Sequence, residues 1–168
     1  KYTYQNGLLV KMVNSKSNIT QHYTYDAYGN MASVAMVTQN DNIETVTGVN
    51  YTYDLLGNML TSVTDENNKT YSYDKAGRTL LVNNNGEYTR TVYDNLGRVV
   101  QEIANEDYDR TKDGLPNSTT YSDSQSGHLY TYAENGNLAN ERNRYGVYTY
   151  YYYSEIGSLS RKQFDIYD

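Results

Sequence analysis

The chain has 168 residues, a formal net charge of −6 and no cysteine, which excludes disulfide frameworks, thiolate metal sites and cysteine nucleophiles. The acidic balance argues against a nucleic-acid partner, which needs clustered Lys and Arg. No apolar run reaches the length of a membrane-spanning helix, so no membrane insertion is expected.

Leu, Ile, Val and Phe together number only 30, whereas tyrosine alone supplies 22 residues. So low an aliphatic share makes disorder the default unless the tyrosines provide the buried surface. The expectation is therefore that tyrosine rings from successive units pile against one another in the interior, each burying about 200 Å².

A repeated unit is visible along the chain. It opens in shortened form as Tyr2-Thr3-Tyr4-Gln5-Asn6-Gly7 and continues as Tyr23-Thr24-Tyr25-Asp26-Ala27-Tyr28-Gly29-Asn30-Met31. Tyr51-Thr52-Tyr53-Asp54-Leu55-Leu56-Gly57-Asn58-Met59 follows, then Tyr71-Ser72-Tyr73-Asp74-Lys75-Ala76-Gly77-Arg78 and Thr91-Val92-Tyr93-Asp94-Asn95-Leu96-Gly97-Arg98. Two later copies, with Tyr130, Tyr132 and Gly136 and with Tyr151, Tyr153 and Gly157, keep the tyrosines and the glycine but not the aspartate. The wide gap between Gly97 and Gly136 reads as two repeats, one of them degenerate near 105–127.

Each part of the unit has a physical reason. In Tyr-x-Tyr both rings lie on one face of a strand, with Thr or Ser facing the other way. Asp-x-x-Gly is turn chemistry: the carboxylate accepts backbone N–H bonds and glycine takes the left-handed position that a Cβ penalises. A hairpin with a bulge at the glycine is expected. A second short strand follows, as in Arg98–Ile103 or Asn58–Val63, and a variable turn such as Asn83–Gly86 or Asp65–Lys69 closes the unit. The reading is an all-β protein: an array of antiparallel β-hairpins from repeats of roughly 20 residues, forming one continuous twisted or spiralling sheet. Residues 1–168 hold seven to eight such repeats.

Catalytic constellations are not found. His22 and His128 stand in different repeats and read as solvated rim residues. Asp26, Asp54, Asp74 and Asp94 read as turn caps rather than a row of catalytic carboxylates. Asp109, Thr111 and Asp113 ahead of Gly114 place oxygen donors as the start of a calcium loop does. Thr120 stands where a bidentate Glu is wanted, so an elongated, solvated hairpin loop is the favoured alternative there. The Tyr148–Tyr153 run with Asn143 and Arg144 mixes aromatic faces and hydrogen-bonding groups suited to sugars, with Tyr148, Tyr150 and Tyr152 on one face; packing is the competing explanation. No cofactor is expected.

The unit Tyr-x-Tyr-Asp-x-x-Gly-[Asn/Arg]-[Met/Leu/Val] resembles the YD repeat of Rhs-type proteins. It is similar to repeats in bacterial Rhs and wall-associated proteins, insecticidal toxin-complex C components and teneurins. The resemblance implies a fragment of a longer chain whose sheet spirals into a hollow shell. That shell would enclose a toxic domain or build a cell-surface adhesion module. It also implies a secreted or cell-surface, bacterial setting and a non-enzymatic structural or interaction role, with carbohydrate binding as the alternative. The implied partners are the remainder of the parent protein and a glycan or cell-surface partner. Unpaired strand edges add self-association. The autoproteolysis signature of toxin-releasing relatives is missing, the chain having one proline, Pro116.

Overall fold

The computed structural model describes residues 1–40, 43–107 and 127–165. They form fourteen strands: β1 (Tyr2–Gln5), β2 (Leu8–Asn14), β3 (Ile19–Tyr25), β4 (Met31–Asn40), β5 (Ile43–Tyr53), β6 (Met59–Val63), β7 (Asn68–Tyr73), β8 (Thr79–Asn84), β9 (Glu87–Tyr93), β10 (Val99–Ala104), β11 (His128–Tyr132), β12 (Leu138–Arg142), β13 (Tyr148–Tyr153) and β14 (Leu159–Asp165). One 3-10 turn, Asn105–Asp107, follows β10. Neighbours in the sheet follow chain order from β1 to β14. The chain thus folds as an open all-β array of hairpins; apart from the β10–β11 interval, every connection is too short for anything but a return to the adjacent strand.

Backbone contacts divide the chain into two units, Lys1–Arg78 with Asn83–Asn85, and Thr79–Val82 with Gly86–Asp168. In the first unit the antiparallel ladders run from Tyr2↔Met12 through Asn14↔Ile19, Tyr23↔Val34, Val34↔Val49 and Tyr51↔Ser62 to Val63↔Asn68. In the second, β9 pairs with β10, β10 with β11, and so on to β14. The Gly97–Gly136 interval is spanned by direct pairing of β10 with β11, Gln101 opposite Leu129 and Glu102 opposite His128. Asp109, Thr111 and Asp113, the calcium reading, lie outside the described residues.

The period-two pattern is kept. Tyr23, Tyr25, Tyr51, Tyr53, Tyr71 and Tyr73 are half-buried, and Thr24, Thr52 and Ser72 between them are exposed. On that exposed face paired hydroxyls meet across strands, Thr24 with Ser33 at 2.7 Å and Thr52 with Thr61 at 2.8 Å. The expectation that tyrosine rings fill a sealed interior is corrected here. The six tyrosines just named are half-buried, Tyr2 and Tyr4 of the opening copy are exposed, and among the described residues the completely shielded apolar side chain is Ile103. Ile103 pairs with Arg90, whereas Tyr93 has the parity of Thr91 and Glu102, so Ile103 occupies the face opposite the tyrosines.

The bulge expected at the glycine is present. Glycine holds the left-handed conformation, with φ of +89° at Gly29 and +85° at Gly57. The Gly29 N–H donates to the Asp26 carbonyl at 3.2 Å and the Asp26 N–H donates to that of Asn30 at 2.8 Å, so Gly29 and Asn30 together face Asp26. A second irregularity was not expected: the ladder skips a residue three positions beyond each glycine, at Ala32, Leu60, Val100 and Ala139. The pairing is therefore offset once at the turn and again after the strand has restarted.

Candidate functional site

The chain's distinctive chemistry sits at its turns. At Asp26 one carboxylate oxygen accepts the backbone N–H groups of Tyr28 and Asn30 at 2.9 and 2.8 Å, and the other accepts the Asn30 side-chain amide at 2.9 Å. Asp54 repeats this with Leu56 and Asn58. At Asp74 and Asp94 the residue after the glycine is arginine, whose Nε donates to the second oxygen at 2.6 and 2.7 Å. These donors favour the charged carboxylate. The Asn30 and Asn58 side-chain amides, followed by backbone N–H groups, hold Asp26 and Asp54 below the usual carboxylate range. At Asp74 and Asp94 the backbone N–H of Arg78 and Arg98 leads the same effect.

In five units the second tyrosine, or the tyrosine at its position, makes a contact with the preceding hairpin. Tyr25 donates its hydroxyl to the Leu9 carbonyl at 2.9 Å, Tyr53 to Met31 at 3.0 Å, Tyr73 to Met59 at 2.7 Å, Tyr93 to Thr79 at 3.0 Å and Tyr132 to Val99 at 2.8 Å. All five acceptors stand two residues beyond the glycine of the preceding turn. The reason lies in the register. On β2, β4, β6 and β10 the ladder to the following strand begins four residues after the glycine, at Lys11, Ser33, Thr61 and Gln101. The carbonyl two residues earlier has no backbone partner from that strand, and the phenol satisfies it. Burial raises the Tyr53 and Tyr73 hydroxyls above their ordinary pKa.

Other tyrosines pair with carboxylates. Tyr130 donates to Glu102 at 2.8 Å and Tyr151 to Glu141 at 2.7 Å. Burial first, then the carboxylate, drives Tyr130 well up and Tyr151 up to about 12.

The residues read as a sugar surface are employed in several ways. Asn143 caps a turn that reproduces the Asp-x-x-Gly geometry. Its side-chain oxygen accepts the Tyr145 and Val147 N–H groups at 3.0 Å each, with Gly146 at φ +88°. Arg144 pairs with Glu106 and, at 3.2 Å, with Asp107. The Tyr148 and Tyr150 rings stack at 6.0 Å and 19°. Tyr152 is 39% exposed, and the Arg161 guanidinium lies 4.0 Å from its ring centre. His22 is exposed on β3, and His128 is half-buried opposite Glu102. Among the degenerate copies, Gly136 and Gly157 keep left-handed conformations without a carboxylate cap.

Sequence reasoning missed three features. Asn143-x-x-Gly146 was legible as a turn with Asn for Asp. The residue after each glycine, Asn30, Asn58, Arg78 or Arg98, was quoted in the motif without its role as the partner of the carboxylate. Gly127, buried at φ +71°, leaves no room for a side chain: a Cβ would lie 2.1 Å from the Glu102 carbonyl oxygen. No turn pattern in Ser126-Gly127-His128 announces it.

A family model described as RHS Repeat matches residues 53–87, from the latch tyrosine Tyr53 to the start of β9. Residues 53–87 thus match an RHS repeat, and the same Tyr-x-Tyr-Asp-x-x-Gly pattern recurs along the chain. No curated protein matches the sequence. Two solved structures share the fold of this chain: "Crystal Structure of TcdB2-TccC3-Cdc42", with TM-score 0.74, and "Crystal Structure of TcdB2-TccC3 without hypervariable C-terminal region", with TM-score 0.73. Each match is 16% identical and covers 98% of this chain. The chain spans 9% of the length of those it matches, and at that identity the likeness shows the fold alone. The array is accordingly a structural repeat module, and among the described residues no helix is long and apolar enough to cross a membrane.

Proposed function

We propose that this RHS-repeat array is a non-enzymatic wall segment of a larger secreted or surface protein, whose task is to extend a continuous sheet as a shell or adhesion scaffold. The observation that carries the reading is the tyrosine latch. Five phenols bond the carbonyl two residues past the preceding glycine, so the most regular chemistry in the molecule is spent on joining one hairpin to the next. The remainder of the parent protein is then the principal partner.

Excision of one whole repeat, residues 58–77, tests this reading. A wall of interchangeable units keeps a cooperative transition and a strand-type circular dichroism spectrum per residue, because Tyr93 and its neighbours still meet an equivalent acceptor. Unfolding of the shortened chain would refute the modular reading. Protease shaving of intact cells that express the parent protein tests the setting: protection until lysis would refute surface exposure.

Sugar binding at Tyr148, Tyr150, Tyr152, Asn143 and Arg144 has less support. The stacked Tyr148 and Tyr150 rings favour it, while Arg161 already lies against Tyr152. Glycan-array binding that disappears in Tyr150→Ala and Tyr152→Ala would establish it.

A further inference from the structure

The first unit contains a strand edge that does not arise from the ends of the chain. β4 pairs with β5 over the full span Ile43–Asn50. On the other side of β5, β6 pairs only with Asn50–Tyr53. Among the described residues, Ile43–Val49 therefore presents a row of backbone donors and acceptors with no ladder partner on that side. The segment is rich in β-branched residues, and Ile43 and Val46 are 68% and 55% exposed.

A groove of about 430 Å³ lies beside this edge. Val34, Met36 and Val49 supply apolar lining, and Gly48, with no side chain, lets another backbone come close. Asp65 and Glu66, from the loop that follows β6, close it with two carboxylates. Thr64, Asp65 and Glu66 on its rim directly follow Val63, the residue of β6 paired with Asn50.

We infer that this groove takes an extended peptide as an added strand on β5, with alternate apolar side chains over Val34, Met36 and Val49 and a Lys or Arg near Asp65 and Glu66. Main-chain bonds to Ile43–Val49 supply affinity, and the alternating side chains and terminal charge supply selection. Charge decides the partner. A second copy of this chain would bring another acidic rim and another net charge of −6 to the same place, so a basic, extended segment of another protein fits and a copy does not.

The test uses the full chain and a fluorescent, acetylated peptide of alternating valine and threonine ending in two lysines. Expected results are saturable binding by anisotropy, slowed amide exchange confined to residues 43–49, and roughly tenfold weaker binding to Asp65→Lys/Glu66→Lys. A matched peptide ending in two glutamates is expected to be weakened to a similar degree on the unaltered chain. That arm carries the charge test if the double variant misfolds. Peptides N-methylated at alternate amides separate strand addition from greasy contact: one methylation register abolishes binding and the other keeps it. Equal binding of both registers, indifference to charge reversal, no binding up to the peptide's solubility limit, or dimerisation that protects residues 43–49 would each overturn the inference. Each would leave the wall reading standing.

Discussion

The two units of the chain are stabilised by different means. In the first, Asp26, Asp54 and Asp74 each hold a turn with three charge-assisted bonds, and no described residue there is buried. In the second, only Asp94 is of this kind, and Ala133, Asn143 and Ser154 take its place elsewhere. That unit instead buries Gln101, Ile103, Gly127 and Thr149. It also sets Arg98, Arg161 and Lys162 over the rings of Tyr132, Tyr152 and Tyr151. Where carboxylates fix the turns the sheet does without a sealed core, and where they are lost local packing substitutes.

The contrast can be broken most severely at Gly127. Gly127→Ala places a Cβ against the Glu102 carbonyl in a left-handed backbone, and a loss of about 4 kcal/mol confined to the second unit is expected in denaturant melts. Gly48→Ala in the first unit, where a Cβ would sit at an ordinary 3.4 Å from the nearest atom, is expected within about 0.5 kcal/mol of the unaltered chain. Next in size is Ile103→Ala, at about 3 kcal/mol, against about 1 kcal/mol for Val34→Ala on the half-buried sheet of the first unit. Equal losses at these two positions would erase the distinction.

Acid sharpens the comparison from the other side. The turn aspartates have folded-state pKa values below their unfolded ones. Their contribution is thus complete above the ordinary carboxylate range and is lost as pH falls from about 5 through the depressed folded values. Amide exchange is expected to accelerate first in the unit with three such turns, and uniform acceleration would contradict this. The smallest effect belongs to a single latch: Tyr73→Phe removes one hydroxyl from the Met59 carbonyl and should cost about 1 kcal/mol. Tyr71→Phe, one turn of the pleat away, should cost little.

What could be read in the sequence was what is decided within a few residues. Asp26 through Gly29 announces its turn because the carboxylate and the left-handed position are local necessities, and Tyr23 and Tyr25 announce a strand face by spacing alone. The latch was hidden because Tyr53 and Met31 meet only once the register of β4 against β5 is known. The second bulge, three residues past each glycine, was hidden for the same reason, since a ladder skips a residue only relative to its partner. Gly127 owes its role to the β10 backbone, far away in sequence. The expected tyrosine interior failed because residue counts reveal how much apolar surface exists, and the sheet needed only half of each ring covered.

The latch gives the array a direction. Every phenol reaches backwards, toward a carbonyl that was synthesised earlier, and none of the five reaches forwards. As the polypeptide leaves the ribosome, each new hairpin finds its acceptor already in place and waits for nothing downstream. Trimming from the carboxyl end uncaps a carbonyl that water can solvate, whereas trimming from the amino end strands a half-covered hydroxyl without its mate. The two ends of such an array are thus unequal in what their loss costs, and growth proceeds in the sense in which the chain is made.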